Sequence, residues 1–478
     1  MIIKKKSFFK RKKKFFFFYK FLIINFILTT SIGILFSIFF FTSYTVRLKT
    51  IDILDYLSKA GRYEYVYFLD IAWSNVKNLF IQNEKLEMEI NFKNILVLEK
   101  DRDDAIKLGT LNLENRSRVP VILTHNKKKI NANVSLRGRR KIHWENKNTS
   151  SYRFNLEKNN YFLGMDEFAI HKPGVRNYIH EWFFHEMIGD LGLIKLKYDF
   201  IDFHINGSNQ GLYAIEESMG KEILERNKRR NGPIFDNGAG IYNTLGEIIL
   251  DVYDEKYWNR PENLPILKTA SQKLRDFFNG KRSVEETFDI EKFAALYAVI
   301  DATYTYHGIV FGSYKLYYNP INGLFEPIAR DGHRKLHNYH KFSKSYYHRI
   351  MIDSLFKRET REELGYMVEI HDGRYPFVEK FFLKNGKLNK SFYKLYLNYL
   401  NIISSEEYIN SFFKKREKKI NKINTKIYSD YFFYSTTRGY GSGIYYFLKS
   451  DLIYRLEFIR NKIRASSKLI QATKDKDT

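Results

Sequence analysis

The first strong pattern along the chain is "FLIINFILTTSIGILFSIFFFTSY", residues 21–44, a run of 24 residues without a charge. About 20 apolar residues in a helix cross a bilayer, so this run predicts a transmembrane helix. Over 45–84 apolar positions at Ile51, Leu54, Leu57, Val66 and Leu69 keep helical spacing and predict a juxtamembrane stalk. The period then changes to two. "LEMEINFKNILVL" and "VPVILTHNKKKINANVSLRGRR" predict a small β-region over about 86–138, the latter turning at "HNKKK". "SYRFNLEKNNYFLGMDEFAIH" predicts a further strand pair around "KNN".

"VRNYIHEWFFHEMIGDLGL" has Trp182, Phe183, Met187 and Leu191 on one side of an amphipathic helix. "KYDFIDFHINGSNQGLYAIEE" alternates on both sides of Asn206-Gly207, a strong hairpin signal. "IEKFAALYAVIDATYTYH" predicts a helix ending near Asp301, and "SYKLYYNPINGLFEPIA" a second hairpin that delivers Asp331. Beyond about 345 the pattern is helical, notably over 405–428 and 444–466, and no internal repeat is visible. Sheet first and helices late make the class α+β.

Charge sharpens the topology. Of a net +26, nine Lys or Arg lie in the first 20 residues. Basic residues before the apolar run and near-balance after it place the 1–20 tail in the cytoplasm and the rest outside, by the positive-inside rule. A cleaved signal peptide is the rival reading, but the apolar run is too long and no A-x-A-like site follows. With so much basicity in the tail, no nucleic-acid partner is expected. The absence of cysteine excludes disulfides, Cys-ligated zinc and thiol catalysis.

The candidate chemistry gathers in "EPIARDGHRKLHNYH", where Asp331 stands among three histidines and three basic residues. Asp331 is a metal ligand, an ion-pair partner of Arg330 or Arg334, or the remnant of a larger acidic site. His333, His337 and His340 share one helical face, a spacing that suits a metal or simply a solvated surface. His180 and His185 lie on an apolar helix as buried, hydrogen-bonded residues. "ERNKRRNGP" is a solvated loop or an anion-binding one. The basic "FFKKREKKINKINTKI" either lies on anionic lipid or forms the face of a packed helix. Asp301, a hairpin and then Asp331 follow a phosphotransfer layout, with one acid orienting the acceptor hydroxyl and the other holding a metal.

"VSLRGRRKIHW", "SYRFNLEK", the Arg-Asn helix start, "NGSNQGLYAIEE" and "LYYNPINGLFEPIARDG" resemble, in order, the spore coat protein H (CotH) kinase family over about residues 130–340. The resemblance implies an atypical protein-kinase-like domain over 85–345, followed by a helical region over 346–478. It implies Asp301 as catalytic acid, Asp331 as the first acid of a W-D-x-D metal motif, and Arg137, Arg153 and Glu217 beside the nucleotide. ATP and a divalent metal are the implied cofactors, and an envelope protein or glycan outside the cytoplasm the implied substrate. The chain departs from the motif at Arg330 and His333, and His307 or Gly308 replaces the metal-ligating Asn. One carboxylate with imidazoles such as His307 and His333 suits zinc or manganese better than magnesium. Three functions therefore stand: a membrane-anchored phosphotransferase, a degenerate member kept as a binding or scaffold module, or a glycan-associated factor for envelope polymers.

Overall fold

The computed structural model of the protein describes residues 23–38 apart from 36, 68–112 apart from 83, 116–146, and 149–236 apart from 177. It further describes 249–303, 305, 308, 315–332, 376–430, and 453–463 apart from 454 and 462. The chain divides into two compact units, Met1–Phe80 and Ile81–Thr478.

In the first unit residues 23–35 are helical, and Ile24, Phe26, Ile27, Leu28, Ile32 and Ile34 expose their side chains. Its polar side chains bond back to their own helix, Thr29 Oγ1 donating to the Asn25 carbonyl at 2.8 Å and Ser37 Oγ to that of Gly33 at 2.7 Å. A second helix spans Phe68–Asn78. Among the described residues no helix is long and apolar enough to cross a membrane. Residues 21, 22, 36 and 39–44 of the expected span lie outside the described residues.

The second unit opens with a closed seven-stranded barrel in the order β1-β2-β3-β4-β5-β7-β6. Its strands are β1 Lys85–Glu89, β2 Val119–His125, β3 Lys128–Leu136, β4 Tyr152–Leu156, β5 Glu167–His171, β6 Tyr198–Ile205 and β7 Ser208–Glu217. Alternation puts Leu86, Leu123, Val134, Phe154, Phe168 and Phe203 inside, all fully buried, and Phe154 stacks on Phe168 at 5.2 Å. Closure comes from the parallel pairing of β1 with β6. Asn206 secures it in the β6–β7 turn: its side chain accepts from the Ile90 amide and donates to the Ile90 carbonyl, both at 2.8 Å. Asn206 and Gly207 take φ of 47° and 80°, as a two-residue hairpin turn requires. The β2–β3 turn does the same through Asn126 and Lys127.

One expectation fails inside the barrel segment. The stretch read as β from 86 to 138 contains a 17-residue helix, α1 Phe92–Leu108. Its ends are marked by Asn91, whose side chain accepts from the Asn94 amide, and by Gly109 in the left-handed region. Those caps outweigh the short alternating run that precedes them. The helix expected from "VRNYIHEWFFHEMIGDLGL" is α2 His180–Asp190, preceded by a 3-10 turn over Pro173–Arg176. It is buried almost all round, Phe184 included, rather than along one face.

Beyond α3 Lys221–Arg226 lies a four-stranded sheet, β11-β10-β8-β9, from β8 Ile234–Asp236, β9 Asp251–Val252, β10 Lys315–Asn319 and β11 Leu324–Ile328. Of the helices α4 Leu264–Phe278, α5 Ile290–Thr303, α6 Pro376–Phe382, α7 Lys390–Ser404 and α8 Glu406–Ser429, α5 packs on the sheet through β11. α5 is the central one, buried from Phe293 onward. Phe293 stacks on Phe381 of α6 at 4.5 Å, and Tyr297 meets Phe392 of α7. The basic α8 returns to the barrel. Arg416 pairs with Glu186 and Asp190 of α2, Lys419 with Asp199 and Lys426 with Asp202 of β6. These three cations form the seam of a packed helix, the second of the two readings of that segment.

Candidate functional site

Where the barrel meets the second sheet, three arginines and two carboxylates from separate elements converge. Arg137 follows the last residue of β3, Glu216 is near the end of β7, Arg176 ends the 3-10 turn before α2, and Arg330 and Asp331 follow β11. Arg137 Nη2 donates to Glu216 Oε2 at 2.8 Å, and Arg330 Nη2 to Glu216 Oε1 at 3.2 Å. Arg176 Nη2 lies 2.5 Å from Asp331 Oδ1, and Arg330 Nε 3.8 Å from the same oxygen. Arg330 thus bridges the two acids.

The local backbone is built for this convergence. Gly138 has a φ of 90°, and a Cβ there would lie 2.3 Å from the His143 ring. That close approach seats Arg137, whose amide donates to the Ser151 carbonyl at 3.0 Å. Asp331 itself adopts a φ of 56°, a conformation in which Asp is among the few tolerated residues. Gly332 must be glycine, because a Cβ would lie 2.0 Å from the Phe184 ring.

Burial and charge set the ionisation. Burial pushes the Glu216 carboxyl up, but Arg137, Arg330 and Arg176 outweigh it and hold the group well below the ordinary carboxylate range. Burial works against the charge of Arg330 and Arg176, and Asp331 and Glu216 overcome it in both. His171 lies 3.8 Å from Glu216. Burial, reinforced by Arg137 and Arg176, brings its pKa down to about 3. His143 is likewise held well below its usual value by burial and the same two arginines. Both imidazoles are neutral at pH 7.

The expected site residues divide sharply. Arg137 and Asp331 belong to the cluster. Arg153 borders it, paired to Glu167 at 2.8 Å and half-exposed, with Arg116 nearby. Glu217 points to the opposite face of β7 from Glu216, as strand alternation demands. It accepts from Arg226 and, at 2.9 Å, from the Lys197 amide, so the acid beside Arg137 is Glu216. Asp301 is fully buried within α5. It accepts from the Tyr396 hydroxyl, while Arg455 Nε donates to its carbonyl at 3.0 Å. His307, His333, His337 and His340 lie outside the described residues. His180 Nε2 donates to the Thr303 carbonyl at 3.1 Å, as expected of a buried, hydrogen-bonded residue, whereas His185, 3.3 Å from Glu181, is buried but makes no ring hydrogen bond among the described residues.

The described residues fit an implied phosphate better than an implied metal. Among the described residues Arg137 Nη1, Arg176 Nε and Arg330 Nε are buried without a hydrogen-bond acceptor, and such donors call for an anion or water. Asp331, in contrast, faces two guanidiniums, and among the described residues no three His, Asp or Glu side chains converge to hold a metal.

The chain belongs to the family described as CotH kinase protein, whose model matches residues 134–446. Among curated proteins it is similar to the inner spore coat protein H of Bacillus subtilis (strain 168), with 27% identity over 229 residues. That match covers 45% of this chain and 61% of the relative, so the chain spans less than two thirds of the relative's length. The fold is therefore a CotH kinase-like α+β domain, and the family match runs beyond residue 346 and ends within the 346–478 region.

Proposed function

We propose that this is a membrane-anchored, envelope-associated kinase-fold protein that binds a phosphorylated ligand, ATP foremost, and serves as a binding or scaffold module. The observation that carries the reading is the commitment of both expected acids to other partners. Asp331 is clasped by Arg176 at 2.5 Å, and Asp301 is sealed in the core against Tyr396. Asp301 is closed to an acceptor hydroxyl and Asp331 already faces a cation, whereas guanidinium donors remain for a phosphate. The nine basic residues before an uncharged run of 24 support a single-pass anchor with the cytoplasmic end at the amino terminus. The exposed apolar side chains of 23–35 and hydroxyls bonded back to their own helix suit a lipid environment. The envelope assignment leans on the name of the spore coat relative, and an envelope protein or glycan is the partner it favours.

A second reading is an ATP-dependent phosphotransferase using magnesium, manganese or zinc. The position of Asp331 at the end of β11, with its side chain 16% exposed, favours it, with His307 and His333 as further ligands. Calorimetric titration of the full-length protein in detergent with a non-hydrolysable ATP analogue tests the binding claim. Saturable binding that Arg330→Gln abolishes is the expected result. No binding, or binding indifferent to Arg330, would overturn it.

A further inference from the structure

We propose that Arg176 takes the place of the divalent cation at Asp331, so that a phosphoryl group binds this cluster without any metal. The inference rests on the phosphate-binding reading above and specifies its chemistry. A cation at Asp331 would have to displace a guanidinium already 2.5 Å from Oδ1 and then sit beside Arg330, whose Nε is 3.8 Å from the same oxygen. Like charges so close in a desolvated site repel strongly. A guanidinium can do the cation's bridging work instead. Its planar fork offers donors to a carboxylate on one edge and to phosphate oxygens on another.

The free edges are in place. Among the described residues Arg176 Nε and Arg137 Nη1 have no acceptor and Arg330 Nε has none within hydrogen-bond distance, and the Arg137 side chain is only 8% exposed. The charge balance also needs no added metal. Arg116, Arg118, Arg137, Arg153, Arg176 and Arg330 act on one another electrostatically, against Glu167, Glu181, Glu216 and Asp331. Lys315 and Asp236 nearby neutralise each other as a pair. His143 and His171 contribute no charge at neutral pH. The described cluster is therefore net positive by itself, and a phosphoryl group would balance it.

The test titrates ATP and, separately, pyrophosphate into the full-length protein in detergent, once with EDTA and once with magnesium. Each ligand should bind with affinities that agree within about threefold between the two conditions. Tighter binding of ATP than of pyrophosphate would identify a nucleotide as the ligand, and equal binding a phosphoanion alone; both carry the proposal. Arg176→Gln should weaken binding in EDTA by about tenfold or more, with manganese restoring part of it through the released Asp331. Circular dichroism of that variant checks its fold, and Arg176→Lys, which keeps the charge, should retain most of the affinity. Wild-type binding that appears only with magnesium or manganese would overturn the metal-free assignment and leave phosphate binding standing. Failure of both ligands in both conditions would overturn the two together.

Discussion

Replacing Arg137 by Met removes the principal counter-ion of Glu216 while keeping a similar side-chain length. The pair is buried on both sides, with side chains 8% and 3% exposed. Breaking a buried ion pair from one side costs about 3–5 kcal/mol, because the surviving charge stays in a poorly solvated place. Glu216 retains Arg330 at 3.2 Å, which puts the expectation for Arg137→Met at the lower end, about 3 kcal/mol. Glu216→Gln should cost less, about 2 kcal/mol, since a neutral amide oxygen still accepts from both arginines. The pH dependence follows from the depressed carboxyl of Glu216. A group whose folded pKa is lowered stabilises the fold above its unfolded value, near 4.3, and loses that contribution as pH falls through the folded value. Arg137→Met raises the folded value, so the gap between variant and wild type should be widest at pH 7 and shrink below about pH 4. Urea unfolding of the full-length protein in detergent, followed by tryptophan fluorescence at both pH values, reads the two effects. A loss under about 1 kcal/mol at pH 7 would refute the reasoning, because it would place the pair in a solvated setting. A gap that stays constant with pH would refute the electrostatic part of it.

The remaining predictions concern other elements. His171, with a pKa of about 3 in the fold, and His143 bind protons more readily when unfolded. Stability should therefore fall as pH drops below about 6.5, at up to about 1.4 kcal/mol per unit for each group, visible as an acid limb that His171→Gln reduces. Gly207 has open space around it and a φ of 80°, so Gly207→Val should cost backbone strain alone, about 1–2 kcal/mol in chemical denaturation. An unchanged midpoint would show that the turn relaxes freely. Gly332→Ala drives a Cβ to 2.0 Å from Phe184 and should cost about 1–3 kcal/mol while weakening ligand binding, since Asp331 is its neighbour. The protein should stay in the membrane fraction after alkaline extraction with its first 20 residues intact; a mature chain beginning after residue 40 would contradict the anchor.

Much of the fold was legible because its elements follow strong local rules. The β2–β3 and β6–β7 hairpins declare themselves by alternation around turn residues, and α8 by its helical period. Barrel closure was not legible, since it depends on Asn206 reaching Ile90 across 116 positions of sequence. Helix α1 has Asn91 and Gly109 marking its ends, but the alternation just before it is a β signal as strong as those caps. At the site, Arg137 and Asp331 could be chosen by motif, but the choice between Glu216 and Glu217 could not. Adjacent acids on a strand face opposite ways, and only the register of β7 against β5 and β6 decides which meets Arg137. Arg176 had a signal in the Arg-Asn helix start, yet its pairing with Asp331 is a contact between the barrel side and the second sheet that no local pattern encodes. Asp301 does stand at the end of α5, two residues before Thr303, but its burial was not legible, because α6 and α7, which cover α5, come from segments about 75 to 100 residues later.

The central claim, that the cluster holds a phosphorylated ligand without transferring it, is tested most directly by single-turnover labelling. Full-length protein in detergent is mixed with ATP labelled at the γ-phosphate, and bound, transferred and released label are separated over time. The account predicts label retained as intact ATP and recovered as intact ATP on dilution, with retention lost in Arg330→Gln. Label appearing on protein or as free phosphate, and abolished by Asp331→Asn, would contradict it.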